Sequence, residues 1–400
     1  MKKIYLIFPA LAMFFITCQS PEKVDSLNNS KQVDAVKSET ILNVARNFNA
    51  FTSVASDKDG ARNARIGDKE KTIRDITPFK DDQGNALYYV INYKEGGFVI
   101  VSAEKKTLPI LAFSDNNEFP IGKELPNGIK ETISSYSESI KKARFDNAAA
   151  DSRIVKEWER LSNTNAINKW VETARKSAGA KTSSEPVDPP CEDSQIYVGP
   201  FTAPWGQGAN WNSQMPLEST FGCTGLPNGR ARTGCVATAM AEIMNYHHFP
   251  NSYNWSAMGA TQSETARLMR DAANSVTTSY QCTATLTASS TNVAPGLING
   301  FGYSSANYAS YNVNTIQNEI LNFARPVLLM GTRVNFGAHA WVCDGFYQYL
   351  PCGSMFTPML YMNWGFEGYF NGFYSISTGF DPWGESIYFT NLLMVSSIRP

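Results

Sequence analysis

The stretch RTGCVATAMAEIMNYHH, residues 232–248, decides how this chain is read. Val236, Met240, Ile243 and Met244 recur at helical spacing, and the small residues Ala237, Ala239 and Ala241 let neighbouring backbone approach closely. The pattern predicts a central, packed helix. Thr233 stands at the expected N-cap, followed by Gly234, with Cys235 in the first turn. A thiol there feels the positive end of the helix dipole and unpaired N–H groups, which favour the reactive thiolate. Buried cysteines are common and mostly inert, so position alone does not make Cys235 a nucleophile. It needs a base.

The chain has three histidines. His247 lies twelve residues along the same helix, roughly 18 Å away at about 1.5 Å per residue, and His248 is farther. A nucleophile and its base must come within about 3 Å, so an unbroken helix excludes both. Their expected place is the helix C-terminus, where a cation is favoured. His339 remains, at the mouth of a predicted strand after the loop-like VNFGA. An imidazole base also needs its second nitrogen held by an Asn or an acid. Asp344, Asn363 and Asp381 are the candidates downstream. Asn363 ends a strand that can pair beside that of His339, and Trp364 could cover the bond from water. Asp344, five residues further along the strand of His339, would face away. Acyl transfer also needs donors for an oxyanion. The Cys235 N–H supplies one. Gln207, in the Gly-flanked loop PWGQG, is the natural second, because glycines let backbone approach a substrate.

Outside this constellation the chain is less specific. Net charge is −1, which gives no case for nucleic acid. Every lysine lies at or before Lys181, while residues 191–400 hold seven arginines against eleven acids, so the two halves could attract each other. Lys2 and Lys3 precede the apolar run IYLIFPALAMFFIT, which reads as a secretory signal ending at Cys18. A cysteine there also fits lipoprotein processing, with lipid on Cys18 anchoring the chain to an outer membrane. Residues 19–35 read as a polar tether. An envelope location permits disulfides among Cys191, Cys223, Cys282, Cys343 and Cys352, though spacing does not give the pairing. His339 and Cys343 share a strand face, but two ligands do not make a metal site, and no cofactor is expected.

Residues 36–50 have helical spacing, 86–103 read as a hairpin around KEGG, 108–115 as a further strand and 126–145 as a helix with Ile129, Ile133, Tyr136 and Ile140 on one face. Residues 36–145 therefore form a small α+β unit. Residues 146–197 read as a linker, with a charged segment of helical pattern, SRIVKEWERLSNTNAINKWVETARKS, followed by AGAKTSSEPVDPPCEDS, rich in Ala, Ser and Pro. In 198–400 the Cys235 helix is followed by a looser segment, a helix at 314–324 and strands near 326–331, 339–349, 359–365, 368–376 and 385–395. Helices followed by antiparallel strands make an α+β domain.

WGQG, TGCVATAMAEIMNYHHFP, GAHAWVCDGF and MNWGFEGYFNGFYSI, in that order, resemble the streptopain family (C10) of papain-like cysteine peptidases over roughly residues 196–400. ALYYVINYKEGGFVIVSAEKKTLPILAFSD resembles that family's inhibitory propeptide. The resemblance implies a papain-like fold and a cysteine endopeptidase made as an inactive precursor. It implies Cys235 as nucleophile, His339 as base, Gln207 in the oxyanion hole, Trp364 lining the site and Asn363 beside it by position. Protein or peptide substrates, with a preference for an apolar residue two positions before the cut, are implied as well. The propeptide would act as an intramolecular inhibitor, released by cleavage within 146–197. Ala338 departs from the Gly often found before the histidine, the long Gly/Ser loop near 294–296 is missing, and the extra cysteines are foreign to streptopain. Two other readings stay open: a transglutaminase-like acyl transferase using Asp344 or Asp381, and an inactive surface-attached binding module on the same fold.

Overall fold

The front half is a meander with a helix packed on each face. The computed structural model describes residues 36–52, 71–123, 125–179, 194–333, 337–350, 358–376 and 392–400. The signal run, Cys18, the tether, Cys191, Cys352 and Asp381 lie outside the described residues. Helix α1 (Ser38–Thr52) buries Ile41, Val44, Ala45 and Phe48. Strands β1 (Ile73–Lys80), β2 (Ala86–Tyr93), β3 (Phe98–Ser102) and β4 (Ile110–Ser114) pair antiparallel in sequence order. The β2–β3 turn needs its glycines. Gly96 and Gly97 have φ of 87° and 91°, and a Cβ on Gly97 would stand 2.5 Å from the Ser114 carbonyl oxygen. Sequence reading left β1 unassigned. It is an edge strand that alternates half-buried and exposed residues.

Helix α2 (Asn127–Phe145) turns Ile129, Ile133, Tyr136 and Ile140 inward as its spacing predicts. Fully burying each such side chain contributes on the order of 1.5–3 kcal/mol, so this face fixes the helix on the sheet. Helices α3 (Ser152–Ser162) and α4 (Thr164–Gly179) lie in the segment read as linker, and they are folded onto α1. Asn47 Nδ2 donates to Leu161 O at 2.7 Å and the Trp158 indole donates to Thr107 O at 2.8 Å. Charged flanks hid a narrow apolar stripe, Ile154, Trp158 and Leu161, that is enough to dock α3.

In the back half, β5 (Ser194–Val198) precedes a long loop that leads to α5 (Cys235–His247). The segment read as loose contains α6 (Ser263–Ser275), packed on α5, then a small hairpin of β6 (Thr278–Tyr280) and β7 (Thr285–Thr287). A single turn, α7 (Val293–Pro295), leads to β8 (Ser305–Ser310) and α8 (Val313–Phe323). Strands β9 (Val327–Arg333), β10 (Gly337–Leu350), β11 (Met359–Asn363) and β12 (Gly372–Ser375) follow, near the predicted positions, and β13 (Leu393–Arg399) starts close to the end of the strand expected at 385–395, of which 385–391 lie outside the described residues. The loop before β12 takes the first half of the strand predicted there.

One antiparallel sheet runs through both halves, in the order β1-β2-β3-β4-β12-β11-β10-β9-β13-β8, with β5 extending the β9 edge of β10. The junction is β4 on β12, where Phe113 faces Phe373 and Ala112 faces Tyr374. Aromatic rings line this seam. Phe113 stacks on Phe373 at 5.0 Å, and Phe48 and Phe113 meet Tyr347 edge-on. Polar contacts cross it as well: the Tyr197 hydroxyl donates to Asp115 Oδ2 at 2.6 Å, and Asn117 Nδ2 donates to the Tyr361 hydroxyl at 2.8 Å. The described disulfide is Cys223–Cys282, while Cys235 and Cys343 are free thiols.

Candidate active site

Cys235 opens α5, as its sequence predicts, but the cap differs. Gly234 is the N-cap, at φ 90° and ψ 145°, and a Cβ there would sit 2.8 Å from Thr285 Cγ2. Only glycine meets both demands. Thr233 is instead buried, its hydroxyl 2.8 Å from that of Thr238. The Cys235 thiol is partly buried, and desolvation pushes its pKa up. The N–H groups of Ala340, Val236 and Cys235 itself pull the other way but do not prevail. The thiolate expected at a helix mouth is thus not favoured in this state, because among the described residues no cation offsets the burial of the sulfur.

The tandem histidines end α5, as expected. His248 is the C-cap residue in the left-handed region at φ 51°. His247 does not act as a capping cation. It lies 3.2 Å from the Tyr303 hydroxyl, and burial together with Arg325 lowers its pKa to about 4, so it is neutral near pH 7.

His339 opens β10 on the face opposite the nucleophile. Alternation along a strand places His339, Trp341 and Cys343 on one side, Ala340 and Val342 on the other. Ala340 and Val342 belong to the core against which Cys235 packs, whereas Trp341 and Cys343 share a core with Ile129 and Tyr136 of α2. The imidazole Nε2 is 3.1 Å from the Trp364 carbonyl oxygen. A carbonyl only accepts, so Nε2 carries the proton. The ring stacks with Trp341 (6.0 Å), Trp364 (6.3 Å) and Phe366 (5.7 Å). Burial lowers its pKa to about 4, partly offset by that hydrogen bond. The last wall is the start of α2: a Cβ on Gly128 would come within 2.8 Å of His339 Cδ2 and 2.7 Å of Trp364 Cζ3. The front half thus boxes in the imidazole, and among the described hydrogen bonds none joins His339 to Cys235.

The other predicted residues divide between the two faces, with Gln207 tied to the segment of chain before Cys235 and Trp364 stacked on His339. The Gln207 carbonyl accepts from Thr233 N at 3.2 Å, and its side chain donates to Gly365 O at 3.4 Å. Trp364 is buried, and its N–H donates to Asn371 Oδ1 at 2.9 Å. Asn363 does not reach His339 in this state. Its Nδ2 donates to Thr202 Oγ1 and Ala203 O, and its Oδ1 accepts from Asn371 Nδ2 at 2.7 Å. Asp344 faces away from the imidazole as expected and binds Phe201 N, Thr202 N and the Thr202 hydroxyl through Oδ2. Sequence reasoning missed Glu242, Asn371 and Gly128. Glu242 had a signal: an acid seven residues after Cys235, hence on the same helix face, in an otherwise apolar run. Among the described residues no cluster of metal-ligating side chains is found, and no helix is long and apolar enough to cross a membrane.

Comparison with known proteins agrees with this layout. The model of the Peptidase C10 family matches residues 205–259 and 251–374, and that of the Spi protease inhibitor matches 33–140. Streptopain of Streptococcus pyogenes serotype M28 (strain MGAS6180) is 27% identical over 367 residues, 79% of this chain and 81% of that one. The thiol protease/hemagglutinin PrtT of Porphyromonas gingivalis is 25% identical over 371 residues, 80% of this chain and 38% of that protein. The solved structure of a prointerpain A fragment from Prevotella intermedia superposes with a TM-score of 0.50 at 20% identity, over 82% of this chain and 99% of that one, a likeness of fold. Sequence, fold and both family matches converge: the chain belongs to the C10 family of cysteine peptidases and carries a Spi-type inhibitor domain in front, as the precursor of a cysteine endopeptidase.

Proposed function

We propose that Cys235 and His339 form the catalytic pair only after the front half leaves. The observation that carries this is the box around the imidazole, one wall of which is the N-terminal turn of α2. Cleavage within 146–197 removes that wall and lets the ring cross the end of β10 to the sulfur. His339 then takes the thiol proton, and the thiolate attacks a peptide carbonyl. The Cys235 N–H and the Gln207 amide hold the oxyanion, the imidazolium protonates the leaving amine as the C–N bond breaks, and water hydrolyses the thioester. Asn363 and Trp364, consecutive at the end of β11, are the groups placed to orient the relocated ring and to shield it. The apolar run ending at Cys18 supports export, with lipid on Cys18 as the anchor at a bacterial envelope.

An epoxide-type inhibitor of thiol peptidases tests the pairing. It should label Cys235 in the processed enzyme and leave the intact precursor unlabelled. Equal labelling of both forms would defeat the latency mechanism, and no labelling of a folded, processed sample would defeat the pairing itself. Mass spectrometry of exported protein reads the mature N-terminus and any lipid on Cys18 in one measurement.

A further inference from the structure

A buried polar cluster joins the nucleophile helix to the histidine strand, and of its members the mechanism above uses only Asn363. Glu242, Asp344, Asn363 and Asn371 are each 1% exposed or less. They come from the nucleophile helix, the histidine strand and the end of β11 with its following loop. All but Asn371 converge on one segment, Phe201–Trp205, which leads directly into Gln207. Glu242 Oε1 accepts from Trp205 N at 3.0 Å. Asp344 Oδ2 accepts from Phe201 N at 2.9 Å, from Thr202 N at 2.6 Å and from Thr202 Oγ1 at 2.6 Å. Asn363 Nδ2 donates to Thr202 Oγ1 and Ala203 O at 3.1 and 3.0 Å, while Asn371 braces Asn363. The loop is thereby held at Phe201, Thr202, Ala203 and Trp205 before Gln207, and Gln207 itself is tied to Thr233, two residues before the nucleophile.

We propose that Glu242 and Asp344 are positioning residues for peptide hydrolysis: a buried acid pair that clamps the Phe201–Gln207 loop to the nucleophile helix and to the histidine strand, setting the Gln207 amide against Cys235. The inference rests on Gln207 serving the oxyanion.

Two buried acids with no cation between them do not both carry charge. Three donors converge on Asp344 Oδ2, so Asp344 holds the negative charge. Glu242 is addressed more weakly, by Trp205 N and the Asn363 amide, and the charge on Asp344 opposes a second one beside it, so Glu242 holds the proton. Burial raises Asp344 to about 6, while burial and the nearby Asp344 raise Glu242 well above the usual carboxylate range. The other titratable groups facing the pair are Tyr361 and Cys343, both kept neutral by burial. Glu242 therefore stays protonated in the fold while it ionises in the unfolded chain. Above pH ~4.5 the fold binds more protons than the unfolded state, and stability falls as pH rises.

The test uses processed enzyme and a peptide substrate, with kcat and KM measured separately across pH. Glu242→Leu should lower kcat tenfold or more with KM within about threefold. Glu242→Gln, which mimics the protonated acid, should keep kcat within about threefold. It should also melt higher than the parent at pH 8 but not at pH 4.5. Asp344→Asn, which removes the charge that three donors address, should lower kcat like Glu242→Leu. If Glu242→Leu does not fold, Glu242→Gln and Asp344→Asn decide the matter alone. A folded Glu242→Leu or Asp344→Asn with parental kcat would overturn the clamp, as would a Glu242→Gln whose melting gain is equal at both pH values. Gln207→Ala separates the two claims. Full kcat in that variant sinks the oxyanion reading, whereas a loss there with parental kcat in the acid-pair variants sinks the clamp alone.

Discussion

The two faces of β10 are in different states of readiness. On the sulfur face, the nucleophile helix, the Gln207 loop and the buried acid pair are already assembled. On the imidazole face, His339 is stacked among Trp341, Trp364 and Phe366 under the first turn of α2. On the pairing proposed above, latency comes from separating two folded halves of a site, not from leaving either half unfolded. That separation also explains why the seam is aromatic and why one sheet spans it. The inhibitor domain has to hold a wrong but stable position for a buried ring.

The sharpest way to break the comparison is to remove one group from each face. In processed enzyme, Cys235→Ser and His339→Ala should each lower kcat/KM on the order of 10³-fold or more, with the double variant no worse than the single ones, because the pair acts as a unit. Additive losses in peptide-hydrolysis assays would mean that the two residues work independently. In the precursor, Cys235→Ser should also stop cleavage within 146–197. Persistent cutting in purified protein would assign that cleavage to another enzyme.

The sulfur face has its own staple. Cys223–Cys282 closes a segment with a sequence separation of 59 residues, and its hairpin packs Thr285 against Gly234 and donates to Arg232 O at 2.9 Å. A loop of that length constrains the unfolded chain by about 4 kcal/mol in the chain-entropy picture. Cys223→Ser with Cys282→Ser should therefore lower stability by about 2–4 kcal/mol in denaturant titrations of processed enzyme. It should leave His339 as well boxed in the precursor as before, read as unchanged resistance of the intact chain to the epoxide inhibitor. Labelling of the unprocessed variant would show that the two faces are coupled through the helix mouth.

The imidazole face should respond to acid. His339 is lowered to about 4 in the docked state, below its ordinary value near 6.5. Between those two pH values the released ring binds a proton and the boxed one does not. Latency is therefore fully held above pH 6.5 and weakens as pH falls toward 4, by about 3 kcal/mol at most. Thermal melting of an inactive Cys235→Ala precursor at pH 7 and at pH 5 measures this. His339→Gln should remove part of the pH dependence, leaving the shares owed to His247, which titrates with the same sign, and to Glu242 and Asp344, which titrate with the opposite one. An unchanged slope would mean that the ring is not sequestered in solution.

How much of this was legible in the sequence follows from what each signal encodes. Spacing placed α1, α2, α5, α8 and most strands, because apolar periodicity reports a buried face directly. It also brought Gln207 and Cys235 to neighbouring backbone. Strand parity put His339 and Cys343 on one face, yet parity does not say which side, and that is where the expected contact with Cys235 failed for the precursor. Segments such as α6, with arginines and asparagines between small apolar residues, hid their stripe from composition. Gly128 gave no warning: an unremarkable helix-start glycine becomes meaningful only when the ring it must clear arrives from a residue 211 positions away. The orienting role given to Asn363 was read from position in the chain, but the side chain's partners came from the 201–203 loop, which no local pattern could pair with it.

The smallest effect belongs to the rim of the seam, and it tests whether latency depends on the whole docking surface or on the α2 turn alone. Arg160 of α3 lies over the ring of Tyr349 at 4.2 Å and pairs with Glu157, so a helix outside the matched inhibitor segment also touches the peptidase half. A cation over an aromatic ring, largely shielded from water, contributes about 1 kcal/mol. Arg160→Ala should thus loosen the front half by roughly that amount, raising precursor labelling by the epoxide about fivefold while processed enzyme keeps its kcat. Gly128→Ala puts a methyl against His339 and Trp364 and strains the box by about 1–3 kcal/mol, so it should raise labelling more than Arg160→Ala does. The reverse ranking would move the weight of inhibition from the α2 turn to α3 and the aromatic seam.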